Sequence, residues 1–235
     1  DDEDYQGQVA VEGIYEPYVL NTWSGDVEKV SYFDTKDGKT ILNLDLVPGD
    51  MKVFLLKPVE EQTETSVVSV ENVSHVITKN GTVYMAAEES GTASAVLSDG
   101  TVVEEEVAVP ENINLTGWSL TVNSYLPGEK VVRTEITEET GIESTEVTYE
   151  TRHETIDAGT LDTLVPWKEI ENIGDTVSGV GTYTTSFQLP SNWDESCGAV
   201  FRAEDFNLGT AALFVNGQQV PINMDSRTAD ISEFV

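Results

Sequence analysis

The residues best suited to chemistry in this chain are aromatics set among amides and carboxylates, the combination that recognises sugars. A sugar ring offers C–H faces that stack on exposed aromatics, and hydroxyls that pair with amide and carboxylate groups in planar geometry. Asn192, Trp193 and Asp194 lie together in the polar segment Pro190-Ser191-Asn192-Trp193-Asp194-Glu195, and Phe206 and Asn207 follow shortly after. These five are the candidate carbohydrate-binding residues. Trp193 either packs into its own loop, the favoured reading for a large aromatic, or offers its face to a ligand.

Oxygen-liganded metal is the second chemistry available. Calcium takes carboxylate and amide oxygens and needs neither His nor Cys. Glu204, Asp205 and Asp230 are the candidate ligands for a structural calcium, with Asn207 and Asp225 close by in sequence. Zinc-type sites are excluded, because His75 and His153 are isolated and no Cys-x-x-Cys or His-x-x-x-His spacing exists. Cys197, flanked by Glu195, Ser196 and Gly198, has no cationic neighbour in sequence to activate it and reads as a structural thiol. Glu60-Glu61, Glu104-Glu105-Glu106 and Glu138-Glu139 read as solvated faces; no motif singles out a carboxylate pair for glycoside cleavage. A Gly-x-Ser-x-Gly elbow and a Gly-rich phosphate loop are both missing. The chain alone is therefore expected to be non-catalytic.

Charge narrows the partners further. Lys and Arg number 12 against 43 Asp and Glu, a formal net charge of −31 over 235 residues. That field repels nucleic acid and anionic membrane surfaces, and disfavours a strongly anionic polysaccharide unless a cation bridges it. A single cysteine allows no internal disulfide, and no run approaches the ~18 apolar residues of a membrane-spanning helix. The acidic opening Asp1-Asp2-Glu3-Asp4 carries no signal-peptide pattern and reads as an internal boundary of a longer protein. Asn72-Val73-Ser74, Asn80-Gly81-Thr82 and Asn114-Leu115-Thr116 are glycosylation sequons only in a eukaryotic secretory context.

The elements that must carry these residues are strands. Alternating runs at Val9–Gly13, Glu16–Asn21, Val27–Phe33, Thr40–Leu46 and Met51–Leu56 are broken by turns at Trp23-Ser24-Gly25-Asp26, Asp37-Gly38-Lys39 and Pro48-Gly49-Asp50. After the acidic stretch Glu60–Ser66 come Val67–Val70, His75–Lys79, Thr82–Ala86, Ser94–Leu97 and Val102–Val109, with Asn80-Gly81 and Asp99-Gly100 as hairpin signals. Trp118, Leu120 and Val122 share one strand face. The Glu- and Thr-rich stretch from Pro127 to Asp157 alternates weakly and reads as a projecting hairpin. Trp167-Lys168-Glu169-Ile170 after Pro166 is the one helical turn expected. Strands at Thr182–Leu189, Ala199–Arg202 and Ala211–Val215 close the pattern, and Val215-Asn216-Gly217-Gln218 is a two-residue type I′ hairpin signal. No sustained 3.6-residue period occurs, so the fold class is all-β, built of consecutive β-sandwiches.

The order of the last third is distinctive: a Gly-x-Tyr before a strand, Leu189-Pro190 closing it, then Leu208-Gly209, Val215-Asn216-Gly217 and Asp230-Ile231-Ser232. It resembles the sugar-binding-type, galactose-binding-like jelly roll of family 2 glycoside hydrolases, and more closely the C-terminal region of the family 106, α-L-rhamnosidase-like enzymes. Pro17–Pro58 is similar to the small sandwich that caps the barrel in many glycoside hydrolases. The resemblance implies a capping sandwich over residues 1–59, a small immunoglobulin-like domain over 60–112 and a jelly roll over 113–235, with Trp167 packed beneath it. It further implies non-catalytic accessory domains of a secreted or cell-surface bacterial enzyme that degrades polysaccharide. Their partners would be the catalytic domain of the same polypeptide and its carbohydrate. The family pattern continues past Asp230–Val235 with a Gly-Asn turn and another core strand, so the natural polypeptide is expected to extend further. A stand-alone carbohydrate-binding module and a bacterial surface stalk or adhesin are the alternative readings.

Overall fold

A computed structural model describes residues 4–79, 81–137, 139–194, 196–204 and 209–235. Every regular element longer than one turn is a strand, so the chain is all-β, and all the strand-to-strand ladders are antiparallel. The residues fall into two compact units, Asp1–Glu111 with Ser191–Val235, and Asn112–Pro190.

In the first unit β1 (Tyr5–Glu12), β2 (Tyr15–Leu20), β3 (Val27–Lys29), β4 (Phe33–Lys36), β5 (Lys39–Leu46) and β6 (Val53–Pro58) form two three-stranded sheets, ordered β1-β5-β4 and β3-β2-β6. Alternation makes this possible. Thr40 and Leu42 on β5 are buried while Asp45 points outward, and Val9, Val11, Leu44, Phe54 and Leu56 line an apolar cleft of about 280 Å³. Thr40 is buried at no polar cost, because its Oγ1 donates to the Gly13 carbonyl and accepts from the Tyr15 N–H, each at 3.0 Å. On β2, Glu16 accepts ion-pair contacts from Lys29 at 2.7 Å and Lys57 at 3.0 Å; Lys29 also reaches Glu64. Strands β3 and β6 are thus tied to the strand between them by charge as well as by backbone.

Next, β7 (Val67–Glu71), β8 (His75–Lys79), β9 (Thr82–Ala86), β10 (Gly91–Leu97) and β11 (Val102–Val107) give a sheet ordered β11-β10-β7 and a separate β8-β9 pair. Gly100 closes the β10-β11 turn at φ 86, donating to Leu97, as the Asp99-Gly100 signal predicts. Asn80 of the other hairpin signal lies outside the described residues.

The second unit is one sheet, ordered β13-β12-β14, from β12 (Trp118–Ile136), β13 (Glu143–Leu161) and β14 (Gly179–Thr184). Leu120 and Val122 are fully buried and pack with Ile170 and Ile173, and the burial of each such side chain stabilises by roughly 1.5–3 kcal/mol. Trp167, on the 3₁₀ turn Trp167–Glu169, packs on that cluster and donates its indole N–H to the Tyr183 hydroxyl at 2.7 Å. Strand β14 pairs with β12 only along Ser119–Ser124. Beyond it, β12 and β13 continue as a two-stranded ribbon, which is the projecting hairpin expected between Pro127 and Asp157. Cross-strand pairs Lys130–Tyr149, Val132–Val147 and Ile136–Glu143 share one face, and Arg133–Glu146 and Glu135–Ser144 share the other.

The chain then adds β15 (Val200–Arg202), β16 (Leu213–Val215), β17 (Gln218–Val220) and β18 (Thr228–Asp230) to the first unit, paired β15-β18 and β16-β17. Val220, Ile222, Ala229 and Ile231 form their shared core, with Phe201, Leu213 and Phe234 against it. The β16-β17 turn holds Asn216 at φ 49 and Gly217 at φ 81, the type I′ geometry expected of Asn-Gly.

Candidate functional site

Two Asn-x-x-Ser segments far apart in sequence build the same small structure. In Asn21-Thr22-Trp23-Ser24 the Asn21 Oδ1 accepts from the backbone N–H groups of Trp23 and Ser24, at 3.0 and 3.1 Å. In Asn223-Met224-Asp225-Ser226 the Asn223 Oδ1 accepts from Asp225 and Ser226, at 2.9 and 3.0 Å. Each asparagine spends its oxygen on its own turn, and among the described residues neither Nδ2 amide makes a further hydrogen bond.

Both turns open onto one polar depression of about 180 Å³ in the first unit, lined also by Thr228 and Asp230. Trp23 stands at its edge with 40% of its surface exposed. Asp230 is held through Oδ1, which accepts from the Ser232 N–H at 2.9 Å and the Ser232 hydroxyl at 2.5 Å. Ser226 and Thr228 hydroxyls meet at 2.7 Å. The floor is rigid, since Asn223 and Thr228 exchange backbone hydrogen bonds and Ala229 belongs to the buried core. The depression therefore assembles an exposed indole, two amide donors, a hydroxyl and an oriented carboxylate, the inventory that a sugar ring needs.

The residues read from sequence fall elsewhere, with one exception. Asp230 lines this depression. Asn192 is exposed in its loop, and Trp193 is half-buried with its indole N–H enclosed and without a hydrogen-bond partner. Asp194 accepts from the Ser196 hydroxyl and the Ser196 N–H, which hold its carboxyl below the usual carboxylate range. Cys197 is half-buried and donates its N–H to the Asp194 carbonyl. Phe206, Asn207 and Asp205 lie outside the described residues. Glu204 is exposed, and its carbonyl is taken by the Arg227 guanidinium. Among the described residues no group of three or more His, Cys, Asp or Glu side chains is gathered for a metal ion.

The electrostatics of the carboxylates run one way. Hydrogen bonds from Lys29 and Lys57 lower Glu16 to about 2, and the Thr101 N–H and hydroxyl lower Asp99. With Asp194, every carboxyl displaced from its ordinary value among the described residues is displaced toward the ionised form.

Trp23 and Asn21 were legible only as a turn. The signal that would have found the site is the repeated Asn-x-x-Ser text, which marks two similar Asx turns but says nothing of their meeting. Comparison of the chain with protein-family models, curated proteins and solved structures finds no match.

Proposed function

We propose that the chain forms non-catalytic accessory β-domains that contact carbohydrate, of the kind carried at the C-terminus of a secreted, α-L-rhamnosidase-like polysaccharide-degrading hydrolase. The observation that carries this reading is the depression at Trp23. An aromatic side chain beside two unengaged amides and a fixed carboxylate suits stacking with hydroxyl recognition. The jelly-roll assignment of the last third and the family resemblance belong to the same proposal, supported by the order of strands and turns in sequence.

The test is affinity electrophoresis of the 235-residue chain through gels containing soluble polysaccharides, with Trp23→Ala alongside. Retardation of the chain, lost in Trp23→Ala while its circular dichroism spectrum is unchanged, is the expected result. Migration equal to that of a non-binding control in all the gels would overturn the reading.

A further inference from the structure

The second unit leaves a long strand edge open, and the side chains along it specify what fits there. We propose that the outer edge of β13 takes up an extended segment of another polypeptide as an added strand, one in which cationic and apolar residues alternate. The proposal is independent of the depression at Trp23.

The backbone makes the edge available. In the order β13-β12-β14, β13 is terminal, and among the described residues no strand pairs with its outer side. Every residue from Glu143 to Thr155 is exposed. An unpaired edge presents N–H and C=O groups that can receive another strand, and proteins guard such edges with proline, bulges and lysine. The outer side of β12, free beyond Tyr125, has all three: Pro127, Lys130, and a bulge where Gly128 and Glu129 stand opposite Glu150 alone. Over Glu143–Asp157 β13 has neither proline nor lysine, and no extra residue interrupts it.

Alternation sets the chemistry of the two faces. Val147 and Tyr149 share one face with Val132 and Ile136 of β12, and all four are 47–65% exposed. The opposite face carries Arg133 and Arg152 against Glu135, Glu146, Glu150 and Glu154, an acidic excess. A strand laid beside β13 therefore meets apolar side chains on one face and carboxylates on the other. Apolar residues alternating with lysine or arginine match both faces at once, with main-chain hydrogen bonds supplying the ladder.

The same charges argue against a second copy as the occupant. Antiparallel pairing of two β13 strands about Thr148 would set Glu146 opposite Glu150, and like charges directly opposite destabilise a ladder. A net charge of −31 on each copy adds to the repulsion.

The test is fluorescence anisotropy of the full 235-residue chain with a labelled peptide of roughly ten residues alternating lysine and valine, the length of a long strand. Two comparison peptides have the same composition: one gathers its lysines in one half, and the other is N-methylated at alternate backbone nitrogens. The alternating peptide is expected to bind and to slow hydrogen exchange within Glu143–Thr155, with both comparison peptides roughly tenfold or more weaker. Glu146→Gln combined with Glu150→Gln should weaken the alternating peptide roughly fivefold, the effect of two exposed ion pairs, and leave the thermal midpoint unchanged. Equal binding of the gathered or N-methylated peptide would assign the attraction to the charge of the whole chain and overturn the proposal. Failure of the alternating peptide to bind, or protection confined to residues outside β13, would overturn it as well. A dimer in sedimentation equilibrium with β13 already protected in the absence of peptide would give the edge to a second copy, and so would also overturn it.

Discussion

Replacing Gly217 should destabilise the first unit through backbone strain alone. The residue sits at φ 81 in a two-residue turn whose flanking register is Val215–Gln218 and Leu213–Val220. A Cβ built there meets no atom within 4 Å, so no side-chain clash adds to the effect. The cost is then that of holding an L-residue in the left-handed region, about 1–2 kcal/mol. Gly217→Ala recovers roughly 0.5 kcal/mol because its unfolded chain is less free, leaving about 1 kcal/mol of destabilisation. Gly217→Val, branched at Cβ, should approach 3 kcal/mol. Gly217→Asn should lie nearest to wild type, since asparagine visits this region more readily. Neighbouring Asn216, at φ 49, is also tied into the fold, donating from Nδ2 to the Phe234 carbonyl at 2.6 Å. For a unit of this size each kcal/mol moves the thermal midpoint by about 2–4 °C. Differential scanning calorimetry should therefore rank the variants Asn, Ala, Val in order of falling midpoint. Midpoints for Ala and Val equal to wild type would refute the type I′ assignment and the β16-β17 register with it.

Glu16 supplies a pH test. Its lowered pKa means that it stabilises the fold above its ordinary value of 4.5, and that the contribution disappears as pH falls from there toward about 2. The full displacement corresponds to about 3 kcal/mol, which solvent screening at this partly exposed site reduces to about 1 kcal/mol. Urea titrations between pH 6 and pH 3 should show somewhat more than half of that loss in wild type and less of it in Glu16→Gln; parallel curves would refute the ion-pair account. Gly179→Ala should cost about 1–3 kcal/mol in the second unit, because the added Cβ would lie 2.0 Å from the Asn123 carbonyl oxygen, a backbone atom that cannot yield without parting β12 from β14. A wild-type unfolding curve would count against that pairing. Hydrogen exchange should separate the two halves of β12: amides in Ser119–Ser124, flanked by strands on both sides, exchange slowly, whereas those from Lys130 to Ile136, with β13 alone, exchange faster. Uniform protection along the strand would contradict the two-stranded ribbon.

What the sequence disclosed was local. Asn216-Gly217 and Asp99-Gly100 announce their turns because few residues tolerate positive φ, and the Glu/Thr alternation between Pro127 and Asp157 announces a ribbon because its period is two. The strand expected over Thr182–Leu189 is instead Gly179–Thr184, since pairing with Ser119–Ser124 and not propensity sets where β14 ends. Tyr183 of the Gly-x-Tyr text stands 36% exposed with its hydroxyl on Trp167, a contact that alternation cannot foresee. The candidate site was legible only at Asp230. Its other wall comes from the Asn21 turn, and nothing in either segment encodes that the two meet. Trp193, though its neighbours are polar, is half-buried with its indole N–H enclosed, in keeping with the loop-packing reading favoured for it in the sequence.

The first unit takes its residues from both sides of Asn112–Pro190, and this has a consequence for biosynthesis. The indole wall of the depression, at Trp23, emerges from the ribosome some 200 residues before Asn223, and at roughly 5–20 residues per second that is an interval of about 10–40 s. Throughout that interval the nascent chain has one wall of the depression and not the other. A chain halted before Asn223 has no depression, however well its first sheets have formed.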